Sequence, residues 1–275
     1  MPEPSPDADH RFEPFDRQQR RRARDRAAAA YDEFAFLKQT VAEDIADRAA
    51  AFERDWARCL DLGAHDGRLG QMIGAVEVIA ADAGEGFARQ VSGVVCDEDR
   101  LPFADASFDL IVSALSLHGV NDLPGALVQA RRALTPGGIF IAAIIGGQTA
   151  GEIRQALLTA DIERTGGAVP RTLPMVDPAE APGLMQRAGF SEPVVDIYRY
   201  DIGYRDPLRM LRDVRGMGES NYLSARSRAP VSRAGLSGWL AQLQPLAEEG
   251  RMPVPVEVLT LTGTAPGKPA EEGPA

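Results

Sequence analysis

Lysine is almost missing from this 275-residue sequence: of 30 basic residues only Lys38 and Lys268 are lysine, and the rest are arginine. Cysteine is equally scarce. Cys59 and Cys96 alone cannot build a disulfide framework, so a reducing compartment, read here as the cytoplasm, suits the chain. No stretch approaches 18 consecutive apolar residues, which argues against a membrane-spanning helix, and the first residues hold no apolar signal core. An excess of positive charge is missing too: the net charge is −10. That balance argues against nucleic acid as a partner, because such binding rests on neutralising phosphates. Apolar residues, at 44%, suffice for one large or two small domains.

Residues 1–16 are rich in Pro and acidic residues and read as a disordered leader. Residues 17–54 follow as a helical extension of good helix formers. They open with Arg17, Arg20, Arg21, Arg22, Arg24 and Arg26, and continue with Phe34, Leu37, Val41 and Ile45 at helical spacing. The arginines read plainly as a solvated helix face, or alternatively as a contact for an acidic partner or membrane headgroups. From residue 55 the pattern changes. Short apolar runs at 59–62, 77–81, 93–96, 108–115 and 139–145 alternate with helix-like stretches at 68–73, 84–90 and 122–134. Such alternation predicts a parallel sheet covered on both faces, a doubly wound α/β domain over residues 55–147. Residues 148–262 read as a cap with helices at 151–164, 178–188 and 207–215 and strands at 194–200 and 254–261. A disordered tail is expected at 263–275.

Ligands of doubly wound sheets sit beyond the carboxyl ends of the strands. There this sequence carries Asp61-x-Gly63-x-x-x-Gly67, then Asp82, then Asp97. Glycines after the first strand let the backbone turn tightly and approach a ligand. A carboxylate at Asp82 can accept both hydroxyls of a ribose, and one at Asp97 can accept from an adenine amino group. A nucleoside site follows. With no lysine near Gly63 or Gly67 it is not a phosphate-binding P-loop, and no Tyr-x-x-x-Lys pair exists for a short-chain dehydrogenase.

The stretches CLDLGAHDGRLG and VVCDEDRLPFADASFDLIVSALSLHGVNDLPGALVQARRALTPGGIFIAAIIGG resemble class I S-adenosylmethionine (SAM) dependent methyltransferases. Leu115 to Pro124, Gly216-Met217-Gly218-Glu219-Ser220-Asn221 and Arg187-Ala188-Gly189-Phe190 resemble the mitochondrial complex I assembly factor 5 family and its bacterial relatives. That family includes an arginine hydroxylase acting on a complex I subunit; the malonyl-acyl-carrier-protein methyltransferases are more distant. The resemblance implies a seven-stranded Rossmann-like sheet with a helical N-terminal extension and a helical cap, and SAM as cofactor. It implies Asp82 on the ribose, Asp97 on the adenine, and Asp61 with the Gly63–Gly67 backbone at the methionine end. His65, Glu98 and Ser113 are counted with these cofactor contacts. His65 stands where the family's loop has its middle glycine.

Three functions are consistent with this: a methyltransferase on a protein or small-molecule acceptor, an arginine hydroxylase acting on a complex I subunit, and a non-catalytic SAM-binding assembly factor. His118, following the fourth strand, is the candidate general base. Gly218, Glu219, Ser220, Asn221 and Tyr222 are the candidate substrate cover, or else a plain turn with a cap. His65 and His118 could face one crevice, with Asp66 or Asp122 completing a metal set; the plainer reading points His65 to solvent and expects no metal. Cys59 and Cys96 fall about 10 Å apart, on strands separated by a third, too far for a disulfide.

Overall fold

The computed structural model describes residues 13–267. Its seven strands, β1 (Arg58–Leu62), β2 (Glu77–Asp82), β3 (Val94–Val95), β4 (Phe108–Ala114), β5 (Leu134–Gly146), β6 (Ser191–Tyr204) and β7 (Met252–Thr264), form one sheet in the order β3-β2-β1-β4-β5-β7-β6. The first five are parallel, and β7 runs antiparallel to both β5 and β6. Alternate residues feed opposite cores, as strand geometry requires. Leu110, Val112, Ile139 and Ile141 face one layer of helices, while Ile111, Phe140, Ala142 and Ile144 face the other.

The helices are α1 (Arg17–Ala28), α2 (Phe36–Ala50), α3 (Arg68–Met72), α4 (Glu85–Gln90), α5 (Leu123–Ala133), α6 (Gly151–Thr165), α7 (Ala181–Arg187), α8 (Pro207–Gly216) and α9 (Arg233–Leu243). Caps account for several boundaries. Asp16 accepts from Gln19 N to start α1, and Asp122 accepts from Gly125 N to start α5, with Pro124 in its first turn. Helix α9 has no counterpart in the sequence reading. Its Trp239 Nε1 donates to Asp161 of α6, and Arg171 lies over the Trp239 ring at 4.4 Å.

Two expectations about the N-terminal segment change. Helix formers run without interruption from residue 17, yet the helix breaks after Ala28 and restarts at Phe36. Tyr31 in the break is buried between His65 and Phe87, with ring centroids 5.1 and 4.9 Å away, so tertiary packing overrides propensity. Residues 13–16, counted with the leader, are built into the fold. Phe15 bridges to Leu223 and packs edge-on against Tyr222, and Asn121 bonds both the N–H and the carbonyl of Phe15. The expected tail also starts too early: Gly263 and Thr264 pair with β5 as the end of β7, and Ala265 is buried. The rest of the expected leader, and the residues beyond 267, lie outside the described residues.

Candidate functional site

Each acid at the carboxyl edge of the sheet faces a cation from the N-terminal segment. Arg17, Arg20, Arg21 and Arg24 are three and four residues apart and so share one face of α1. Arg24 Nη1 lies 2.7 Å from Asp82 Oδ2, and Arg21 donates to both oxygens of Asp97 at 2.6 and 3.1 Å. Arg20 forks onto both oxygens of Glu98 at 2.6 and 2.9 Å, and Arg17 onto those of Asp99 at 2.5 and 2.8 Å. The reading of these arginines as a solvated face is therefore corrected: Arg20 and Arg24 are buried, and only Arg22 and Arg26 of the cluster lie free of these acids on the exposed side. Burial works against the Glu98 carboxylate, but the Arg20 and Arg24 charges outweigh it and hold Glu98 well below the usual range.

Backbone donors reinforce the same acids. Asp82 also accepts from His65 N at 2.9 Å and Gly84 N at 2.7 Å, and Asp61 Oδ2 accepts from Gly70 N at 3.0 Å. Asp61 Oδ1 is buried with no hydrogen-bond partner among the described residues, and burial pushes its carboxyl up to about 6 against the pull of Lys38. The loop itself turns as a glycine loop does. Gly63 has φ +71°, and a Cβ there would stand 2.1 Å from Ser116 Oγ, so the end of β1 can touch the turn after β4 only because this residue is glycine. Gly67 N closes the turn on Ala64 O at 3.0 Å. His65 adopts φ +53°, the left-handed region glycine favours, although it is not glycine.

His65 does not point to solvent. It is 2% exposed and stacked on Tyr31, and burial followed by the Lys38 and Arg24 charges keeps its imidazole neutral. Lys38 Nζ donates to Gly63 O at 2.9 Å and Ala114 O at 3.0 Å, and lies 2.7 Å from His65 Nδ1. Burial lowers this ammonium to about 8. One of only two lysines in the sequence thus sits in the site, where the sequence reading placed none.

His118, in a 3₁₀ turn after β4 (Leu117–Gly119), meets the segment after α8. Its Nε2 is 3.4 Å from Glu219 Oε2, and Tyr222 Oη donates to that same oxygen at 3.0 Å. Burial raises Glu219, but its contact with the His118 ring and the charges of Arg24 and Arg20 bring it down to about 2. Gly119 makes room: a Cβ there would lie 2.4 Å from Tyr222 Oη and 2.9 Å from Arg20 Nε. A cavity of about 30 Å³ remains between Tyr31, Lys38, His65, His118, Met217 and Glu219. A larger, open cavity of about 560 Å³ lies between α6 and residues 168–172, and no residue assigned to the site from sequence lines it.

Of the other sequence candidates, Gly218 packs against Arg24 and Ala27, and Asn221 donates to Pro170 O and accepts from Leu223 N. Ser220 is half-buried beside them. Ser113 is not part of the acid cluster. It lies inside β4 opposite Ala142, fully buried, and its hydroxyl has no hydrogen-bond partner among the described residues. Neither acid of the alternative metal set joins the histidines: Asp66 pairs with Arg68, and Asp122 caps α5. Among the described residues no three His, Cys, Asp or Glu side chains are grouped to hold a metal ion. Cys59 and Cys96 are buried free thiols, which burial pushes up, to about 12 for Cys96.

Residues 60–142 match the model of a methyltransferase domain. Over 95% of its length the chain is 33% identical to the mitochondrial arginine-hydroxylase NDUFAF5 of Danio rerio and 34% identical to that of Homo sapiens, covering 87% and 81% of those proteins. It is 28% identical to a malonyl-[acyl-carrier protein] O-methyltransferase of Methylovorus, over 89% of this chain and 88% of that one. Among solved structures, YcgJ of Bacillus subtilis aligns with a TM-score of 0.54 at 14% identity, over 80% of this chain and 99% of its own. That likeness is one of fold.

Proposed function

The chain belongs to the NDUFAF5 family within the class I SAM-dependent methyltransferases, and from that premise we propose that it modifies a protein side chain beside the strand-end acids, with His118 as the general base. It is an enzyme of the SAM-dependent methyltransferase type, and SAM is its cofactor. When bound, SAM supplies a methyl group on a cationic sulfur, already activated for transfer. The residues present fit it in type and order. Asp82 would hold the ribose, Asp97 the adenine amino group, and the Gly63–Gly67 backbone with the orphaned Asp61 Oδ1 the methionine end. Glu98 lies between them, on Ser116 and Arg20.

The observation that carries the reading is the grouping of buried His118 and Tyr222 around the half-buried Glu219. Glu219 on Nε2 selects the tautomer in which that nitrogen carries the proton. Nδ1, which has no partner among the described residues, is then left as the proton acceptor. An acceptor nucleophile losing its proton to Nδ1 forms an imidazolium that the Glu219 carboxylate stabilises. Gly218 to Tyr222 cover this end of the cleft, and alignment of the acceptor in a dry site does the remaining work.

Identity over nearly the whole chain to proteins named as arginine hydroxylases favours a second reading, hydroxylation of an arginine, with a complex I subunit as partner. A reducing compartment such as the cytoplasm is in keeping with two free, buried cysteines; among the described residues no helix is long and apolar enough to cross a membrane. Mass spectrometry of complex I subunits from a strain lacking the gene separates the readings. A side chain that loses 14 mass units supports methylation, and an arginine that loses 16 supports hydroxylation. An unchanged set of subunits would remove both as complex I chemistry.

A further inference from the structure

The acceptors assigned above to SAM are already taken. A carboxylate offers about four lone-pair positions, and three of those on Asp82 are filled by His65 N, Gly84 N and Arg24 Nη1. A ribose would need two. Asp97 accepts from Arg21 Nε and Nη2, with Arg17 Nη1 3.3 Å away. The carbonyl of Gly63 accepts the Lys38 ammonium, a group of the same kind as the α-ammonium of SAM. From these contacts we infer that α1 and Lys38 form an internal competitor for SAM, so that the N-terminal segment has to give up these acceptors before the cofactor can enter.

The electrostatics explain why such a device holds. Asp61, Asp82, Asp97, Glu98 and Asp99 gather at one edge of the sheet, all but fully buried. Carboxylates packed this way repel one another and lose hydration unless cations stand beside them. SAM brings a sulfonium and an ammonium; α1 brings four guanidiniums on one rigid face, and Lys38 adds its ammonium. SAM also carries a carboxylate and so brings one net positive charge: it can take over the acceptors on Asp82 and Asp97, but not the whole charge that α1 supplies. Helix α1 is also seated closely on the start of α4. A Cβ on Gly84 would stand 2.8 Å from Arg24 Cβ, and one on Gly86 would stand 3.1 Å from Ala28 Cβ, while Asp25 accepts from Gly86 N. The break after Ala28, with its turn at Tyr31–Glu33, is the natural joint.

The inference rests on the reading that Asp82 and Asp97 hold the nucleoside of SAM, and one experiment separates the two. The Ala28→Cys/Gly86→Cys double variant places its Cβ atoms a few tenths of an ångström inside the roughly 3.5–4.5 Å of a disulfide, so oxidation would pin α1 on α4. Calorimetric titration with SAM is expected to show binding in the reduced form and at least tenfold weaker binding in the oxidised form. Equal affinity in both forms would overturn the competitor and leave the SAM site standing. No binding in either form, or in the unsubstituted protein, would overturn the site and the competitor together. Should the double variant fold poorly, Arg21→Gln removes the half-exposed cation from Asp97. It is expected to raise SAM affinity about fivefold, and an unchanged or lower affinity counts against the competitor.

Discussion

Glu219 holds His118: its Oε2 lies 3.4 Å from the imidazole Nε2, bringing a turn beyond β4 together with the segment after α8. Neither group acts alone in this arrangement. The carboxylate faces one of the two ring nitrogens, and the tyrosine hydroxyl on the same oxygen sets where the carboxylate points.

Glu219→Gln should therefore cut turnover by about 10²-fold, at the low end of what general base catalysis contributes, because the amide still bonds His118 but cannot stabilise its cation. Reintroducing the variant into a strain lacking the gene and measuring the modified subunit by mass spectrometry checks this. SAM affinity of the purified variant should stay within about threefold of the parent. A variant that restores full modification removes Glu219 from the mechanism.

Lys38 makes a pH prediction. Burial lowers its ammonium from 10.5 to about 8 in the folded chain, so between those values the unfolded chain binds more protons. Stability from this residue is present above the unfolded value and is lost as pH falls to about 8. The full difference is about 3 kcal/mol. Urea unfolding at several pH values should show the protein gaining that amount relative to Lys38→Met on going from pH 7.5 to 10.5. Parallel curves for the two proteins would contradict it.

Gly119→Ala tests the close approach of Tyr222. The added Cβ would sit 2.4 Å from the phenol oxygen and 2.9 Å from Arg20 Nε, with both side chains buried. Overpacking of this kind costs about 2 kcal/mol, seen as a lower midpoint in thermal unfolding. The Tyr222→Phe background should recover a part of it, since the clashing oxygen is then gone.

Arg24→Met leaves the Asp82 carboxylate, wholly buried, without its cation. The expected loss is about 3–5 kcal/mol. Adding Asp82→Asn should restore more than half of it, because the uncompensated charge goes with it. A double-mutant cycle in urea gives the number, and additive losses would show that the pair is not coupled.

Strand ends were legible in the sequence because they are local. An apolar run closed by Asp61-x-Gly63, by Asp82 or by Asp97 marks its own position and its own chemistry, and all three acids stand at one edge of the sheet. The stripe of Arg17, Arg20, Arg21 and Arg24 was visible too, but the same spacing occurs on any solvated helix face. Its destination depends on the break at Tyr31, which folds α1 over the acids instead of continuing into α2. Ser113 went the other way: one position from the end of β4, its side chain enters the sheet core rather than the acid cluster.

The doubly wound sheet, the row of acids and the lack of a P-loop lysine could all be read along the chain, since periodicity and residue type at strand ends are properties of short stretches. What those acids meet depends on long-range packing. Pairing Arg24 with Asp82, Lys38 with the carbonyls of Gly63 and Ala114, and His118 with Glu219 requires segments far apart in the chain to pack together, and burial then gives each pair its strength. Lysine, so rare that its scarcity first served to exclude chemistries, has one of its two copies at the centre of the site.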